Sequence, residues 1–269
     1  MQLTGPGVWG PPRDHDGALE VLRRCVELGV DLLDTADSYG PNVAEELIRE
    51  ALHPYQESIT IATKAGFTRS GPGKWRECGR PEYLRDQCEG SLRRLGVDQI
   101  DLFQLHRVDP HVPADEQFGL LKALRDEGKV REVGLSEVSV AQVEAALDIV
   151  PIVSVQNQYN VAQRSADDVL DFCEQHDIAF LPWAPLASGK LSRPGGPLEH
   201  VAEEVGATVS QVSLAWLLRR SKVMVPIPGT SSRQHVEENC AAASISLTPE
   251  QFQEIDDARK PMRRWAAGN

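Results

Sequence analysis

Seven short apolar runs, each reached through an amphipathic helical pattern, constrain this chain more than any other feature. They lie near 30–34, 58–64, 100–106, 130–136, 152–157, 178–183 and 223–228. A strand with one solvated face alternates apolar and polar residues. These runs are nearly continuous, the habit of strands covered on both faces in a parallel sheet. The intervening patterns are helical. Ala18, Leu22 and Val26 share a face that ends at Gly29, residues 42–53 run up to Pro54, and Leu84, Cys88, Leu92 and Leu95 end at Gly96. A further pattern at 114–127 ends at Gly128. Three helix starts carry capping boxes, Ser139/Gln142, Thr208/Gln211 and Thr248/Gln251, in which a hydroxyl and an amide satisfy orphan backbone groups.

Regular βα alternation over 269 residues, with no linker or low-complexity segment, predicts one domain spanning 1–269 and a (β/α)8 TIM barrel. An open dinucleotide-binding sheet would place G-x-G-x-x-G after its first strand, and none is present. The strand count is one short. Residues 1–12 read as a loop, so the first barrel strand is missing or truncated. The expectation is that the sequence begins about ten residues late, the length of a strand and its lead-in. The gap between the strands at 30–34 and 223–228 is then expected to be open, bridged by a neighbouring molecule, or pinched shut.

The composition excludes several classes of function. With 40 acidic against 28 basic residues, the net charge of −12 repels nucleic acid, and no Lys/Arg run relieves it. No apolar stretch has membrane-spanning length, and no signal segment opens the chain. The five cysteines are scattered without CxxC spacing, which fits reduced thiols in a cytoplasm. Core packing suits most of them. Cys78, in a Gly/Pro/Arg-rich loop, is the one to test for reactivity.

The polar residues that close the first three runs carry the chemistry. Asp34 ends the first, with Tyr39 five residues on, Lys64 ends the second and His106 ends the third. Parallel strands bring all four to the carboxyl end of one sheet, where barrels of this kind place function. A phenol with a pKa of about 10 is protonated at neutral pH and can give its proton to a developing alkoxide. Lys64 is expected to lower that pKa by stabilising phenolate, Asp34 to hold Lys64, and His106 to orient the substrate oxygen. Taken singly, Asp34 reads as a turn residue, Lys64 as a snorkelling cation and His106 as a structural histidine. Their joint placement on successive strand ends reverses that judgement.

These segments, with Gly134-Leu135-Ser136, Val155-Gln156-Asn157, Pro185-Leu186-Ala187-Ser188-Gly189 and Pro226-Ile227-Pro228-Gly229-Thr230, resemble the aldo-keto reductase family over the whole chain. The likeness is to bacterial, short-looped members. It implies the tetrad Asp34, Tyr39, Lys64 and His106, and a nicotinamide cofactor, usually NADPH. It further implies that Ser136 and Gln156 bond the carboxamide and that Trp183 stacks on the nicotinamide. Leu186, Ser188, Gly189 and Leu191 are implied to face the pyrophosphate. Gly229, Thr230, Ser231, Ser232 and Arg233 open a helix whose free N–H groups suit a ribose phosphate. Glu238 and Asn239 resemble the adenine contacts. Glu137 stands where many members have Asn. Gly229 and His235 stand nearest the places of the Lys and Arg that grip the 2′-phosphate, so NADP is expected and NAD stays possible.

The activity implied is NADPH-dependent reduction of an aldehyde or ketone to an alcohol, reversible. The partner expected is a small carbonyl or alcohol, and the oligomeric state is left open. Two alternatives are kept. One is a cofactor-binding, redox-sensing subunit with low turnover, like the channel-associated members of the family. The other is a Schiff-base lyase using Lys64. Trp9 and Trp75 fall in loops expected over the barrel mouth, as substrate-pocket candidates. His106, Asp109 and His111 lack a third neutral ligand at sensible spacing, so no metal is expected. Trp216 lies on an apolar helix face with Val212 and Ala215 and reads as core.

Overall fold

A computed structural model describes residues 3–187 and 196–257. Its elements, in chain order, are α1 (His15–Glu27), β1 (Leu32–Asp34), α2 (Val43–Leu52), β2 (Thr60–Ala65), β3 (Phe67–Gly71), β4 (Lys74–Glu77), α3 (Pro81–Leu95), β5 (Ile100–Leu105) and α4 (Ala114–Asp126). There follow β6 (Val130–Ser136), α5 (Val140–Leu147), β7 (Ser154–Gln156), α6 (Asp167–Gln175), β8 (Ala179–Phe180), α7 (Pro197–Val205), α8 (Val209–Arg220), α9 (Arg233–Ala241) and α10 (Pro249–Asp257).

Six strands form one curled sheet in the order β1-β2-β5-β6-β7-β8, every pairing parallel. Helices cover its outer face, as the (β/α)8 plan requires. The apolar runs thus form the strands expected of them, and the full burial of Ile61, Phe103, Leu105, Val133, Leu135 and Val155 explains why those runs do not alternate. The run near 223–228 joins as a single bridge, Phe180 to Met224, held by Phe180 N–H to Val223 O and Val225 N–H to Phe180 O, both 2.8 Å. Pro226 and Pro228 lack the N–H groups that would extend this ladder. The three capping boxes form as the sequence predicts, with Ser139, Thr208 and Thr248 each exchanging bonds with the glutamine three residues on. Trp216 is fully buried, stacked between Tyr159 and Phe252.

Two features depart from the sequence expectation. Residues 67–77 form an antiparallel hairpin, β3–β4, separate from the main sheet. Cys78, at its foot, is 8% exposed rather than held out on a loop, and its backbone N–H donates to Gly66 O.

Among the described residues no strand pairs with the free edge of β1. On the inner layer, β1 and the segment 225–229 face each other across an apolar cavity of about 330 Å³ lined by Leu22, Leu33, Leu218, Val225 and Ile227. The outer layer is closed there. Arg24 of α1 donates to Glu237 of α9 at 2.8 Å, and Val236 packs in one buried cluster with Leu19, Leu22 and Leu33. The seam is therefore open inside and bridged outside by this chain's own helices.

Candidate active site

Backbone bonds between successive strand ends set the positions of the site residues. Asp37 N–H donates to Lys64 O, His106 N–H to Ala65 O, Glu137 N–H to Gln156 O and Trp183 N–H to Asn157 O. Together with the β5–β6 ladder, these bonds hold the carboxyl ends of β1, β2, β5, β6 and β7 in register around one cleft of about 510 Å³, lined among others by Asp34, Tyr39, His106, Ser136, Gln156 and Trp183.

The tetrad converges as the sequence predicts. The fully buried Lys64 ammonium donates to Asp34 Oδ1 at 2.8 Å, Asp34 Oδ2 at 2.7 Å and Thr35 O at 2.7 Å. Burial works against this charge, but Asp34 and Tyr39 outweigh it and its pKa is raised. Lys64 is thus a charged group with its donors engaged. That is the opposite of the free amine a Schiff base needs, which argues against the lyase reading. Its Nζ lies 5.4 Å from the centroid of the Tyr39 ring.

Lys64 pulls the pKa of Tyr39 down, the direction expected, but burial outweighs Lys64 and Arg107 and the net shift is upward. The phenol is protonated in this state, as a proton donor must be. His106 is buried, its ring 5.9 Å from the ring of Tyr39 and its Nδ1 3.5 Å from Ser38 Oγ. Burial, then Lys64 and Arg107, push its pKa well below 6.5, so the imidazole is neutral. A neutral imidazole carries a single N–H, and in the tautomer with Nδ1 turned to the Ser38 hydroxyl as acceptor the proton sits on Nε2, free to donate to a substrate oxygen.

Sequence reasoning missed three neighbours, Gln104, Arg69 and Arg107, and the bonds of a fourth, Glu137. Gln104 donates to Asp34 Oδ1 at 3.3 Å, beside Gln156, which donates to the same oxygen at 2.9 Å. Arg69 of the hairpin bonds Gly7 O, Val8 O and Ser38 O, and its guanidinium lies 3.5 Å from the Trp75 ring centroid and 5.6 Å from that of Trp9. Arg107 donates to His106 O at 2.6 Å and Ser136 Oγ at 3.2 Å. Glu137 accepts from Trp183 Nε1 at 2.5 Å and from Gln158 N–H at 2.6 Å. For Arg107 the available signal was its adjacency to His106.

Trp75 stands over the mouth, 6.3 Å from Tyr39 and 6.4 Å from His106. Trp9 braces Arg69, and Val8 lines the cleft in its stead. Leu186 and Gly229 line the cleft, while Ser188, Gly189 and Leu191 lie outside the described residues. Ser232 caps α9, accepting from His235 N–H. Arg233 is exposed, 3.6 Å from Glu237. Thr230 and Asn239 border the seam cavity, and Glu238 accepts from Gln234 at 2.8 Å. Asp109 accepts from Gly79 N–H and His111 N–H, a loop-bracing role.

The donor set suits a nicotinamide carboxamide. Ser136 Oγ accepts from Arg107, leaving its O–H to donate to a carbonyl. Gln156 spends its amide N–H on Asp34, leaving Oε1 to accept from an amide. The Trp183 ring borders the same cleft.

Comparisons with known proteins give the family. The family model described as "Aldo/keto reductase family" matches residues 2–260. An oxidoreductase of Schizosaccharomyces pombe is 50% identical over 260 residues, covering 97% of this chain and 85% of that protein. Pyridoxine 4-dehydrogenase of Escherichia coli is 42% identical over 262 residues, covering 95% and 91%. The crystal structure of an aldo-keto reductase from Klebsiella pneumoniae in complex with NADPH aligns with a TM-score of 0.80 at 28% identity, over 97% of this chain and 92% of that one. Among the described residues no helix is long and apolar enough to cross a membrane.

Proposed function

This chain belongs to the aldo/keto reductase family, and from that premise we propose that it reduces an aldehyde or ketone to an alcohol with NADPH, reversibly, with Tyr39 as the proton donor. The observation that carries the reading is the position of Tyr39 at the cleft, with the Asp34-paired ammonium of Lys64 on one side and the neutral imidazole of His106 on the other. The nicotinamide cofactor, when bound, supplies the hydride. Ser136 and Gln156 would hold its carboxamide, Trp183 would flank its ring, and the N-terminal turn of α9, capped by Ser232, would take its phosphate.

The chain's own residues handle the oxygen. His106 donates a hydrogen bond that fixes the carbonyl direction. As negative charge builds on that oxygen, Tyr39 passes its phenolic proton to it, and Lys64 stabilises the phenolate left behind. Asp34, held by Gln104 and Gln156, keeps Lys64 charged and aimed. Reversal uses the same groups, with phenolate accepting the alcohol proton.

A panel of aldehydes, ketones and alcohols, followed by the absorbance of NADPH or NADP and in parallel with NADH and NAD, tests the proposal. Turnover with NADPH is expected on at least one carbonyl class. Tight NADPH binding without oxidation across the whole panel would overturn it.

A further inference from the structure

We infer that Arg107 is a substrate-selecting residue and that the carbonyl compound this cleft takes carries an anionic group, a carboxylate or a phenolate, set to one side of the reacting carbonyl. The inference rests on the reductase reading above and names the substrate class of that same site.

Arg107 follows His106 directly and lines the cleft with it. Its recorded hydrogen bonds run from one nitrogen, Nη1, to His106 O and Ser136 Oγ, both neutral acceptors. Its guanidinium lies 5.2 Å from the centroid of Phe67, whose ring packs 4.8 Å from His106. The fork is therefore held beside the reacting centre and not swung into solvent.

Arg107 has no counter-ion at ion-pair distance among the described residues. Among the described residues no carboxylate forms an ion pair with it, and Glu137 and Glu77 act on it only at longer range. The segments outside the described residues contain no Asp or Glu. Burial lowers the pKa of Arg107, showing that the charge is held at a cost to its hydration. This happens in a chain of net charge −12, where acidic residues to neutralise a misplaced arginine are abundant. Among the described residues that line the cleft, this half-buried guanidinium with free N–H groups, next to a neutral imidazole and a neutral phenol, is the one cationic donor not committed to a carboxylate. Planar bidentate pairing with a carboxylate, or a single bond to a phenolate oxygen, is the chemistry that satisfies it. The oxygen being reduced belongs to Tyr39 and His106. The anion at Arg107 is a second point of attachment, which turns the carbonyl toward them.

The test compares 3- and 4-carboxybenzaldehyde with their methyl esters as substrates with NADPH, for the wild-type protein and for Arg107→Gln and Arg107→Lys. For the better of the two isomers, wild type should show a kcat/KM advantage of about tenfold or more for the carboxylate over its ester, as a charge-assisted pair supplies. Arg107→Gln should bring that ratio close to one, and Arg107→Lys should keep part of it. Taking the ratio within each variant cancels any general loss of activity and the intrinsic reactivity of each aldehyde. Equal wild-type rates on acid and ester would overturn the inference without touching the reductase reading. So would an Arg107→Gln loss that falls equally on both, because that marks a residue that only braces Ser136. If none of these benzaldehydes is reduced while another carbonyl of the panel oxidises NADPH, the substrate inference fails alone; silence across the whole panel takes the reductase reading with it.

Discussion

Glu137 grips the indole of Trp183: its Oε1 accepts from Nε1 at 2.5 Å and also from Gln158 N–H at 2.6 Å. The backbone of Glu137 sits in the left-handed region, φ 55°, which is costly for a residue that is neither Gly nor Asn. The carboxylate bonds offset that strain, and they fix the ring proposed to flank the cofactor. Glu137→Ala is expected to lower the unfolding free energy by about 1–3 kcal/mol, because two N–H groups lose their acceptor. It should also raise the KM for NADPH, and Glu137→Gln should recover most of both. Denaturant melts and cofactor titrations check this. An unchanged KM in Glu137→Ala would show that the bond only staples two strand ends.

Tyr39→Phe keeps the ring and its packing against Trp75 and His106 but removes the proton. Turnover is expected to fall by about 10²–10⁴-fold, the usual reach of general acid catalysis. NADPH affinity, measured by protein fluorescence, should stay close to wild type. Wild-type turnover in this variant would exclude Tyr39 as the donor.

The parts of this site that were legible in the sequence are those fixed by period and position. A run that ends in a polar residue marks a strand terminus, and parallel strands bring termini together, so Asp34, Lys64 and His106 could be gathered before any coordinates. The hairpin at 67–77 was not legible, because its strands are short, polar and interrupted by Gly71, Pro72 and Gly73, which read as loop. Nor were the roles of Gln104, Arg107 and Glu137. Their partners lie 70, 29 and 46 positions away in the chain, so neither the adjacency of Arg107 to His106 nor the place of Glu137 in its segment told what each would bond. The cofactor segments were found through family likeness. Backbone amides at a helix start have no side-chain pattern of their own.

Lys64 and Asp34 separate fold from catalysis in a second way. Lys64→Met leaves a buried carboxylate supported only by Gln104 and Gln156, and breaking such a pair costs about 3–5 kcal/mol. Adding Asp34→Asn removes the stranded charge, so the double variant should regain much of that stability. Turnover should remain lost in both, since neither has an ammonium near the phenol. Urea melts and NADPH oxidation, run on both variants, decide it. Recovered activity in the double variant would mean that Lys64 serves the fold alone.

Asp37 makes stability depend on pH in an unusual direction. Its carboxyl is 2% exposed, its Oδ1 has no hydrogen-bond partner among the described residues, and burial, aided by the charge of Glu45, pushes its pKa up to about 8. In the unfolded chain an aspartate titrates at about 3.9. Between those values the folded protein keeps a proton that the unfolded chain has released, so folding takes up a proton and stability falls as pH rises. The stabilising contribution is complete below about pH 4. It is lost progressively up to about pH 8 and is constant above that. Asp37→Asn is nearly isosteric and cannot ionise, so it removes this dependence. Its stability relative to wild type should be near zero at pH 4 and grow to the order of a few kcal/mol by pH 8, one pKa unit being about 1.4 kcal/mol. Urea midpoints of the two proteins at pH 5, 6.5 and 8 measure the difference. A gap that does not widen with pH would place Asp37 ionised in the folded state, with Arg94 and the Ser38 donors outweighing its burial.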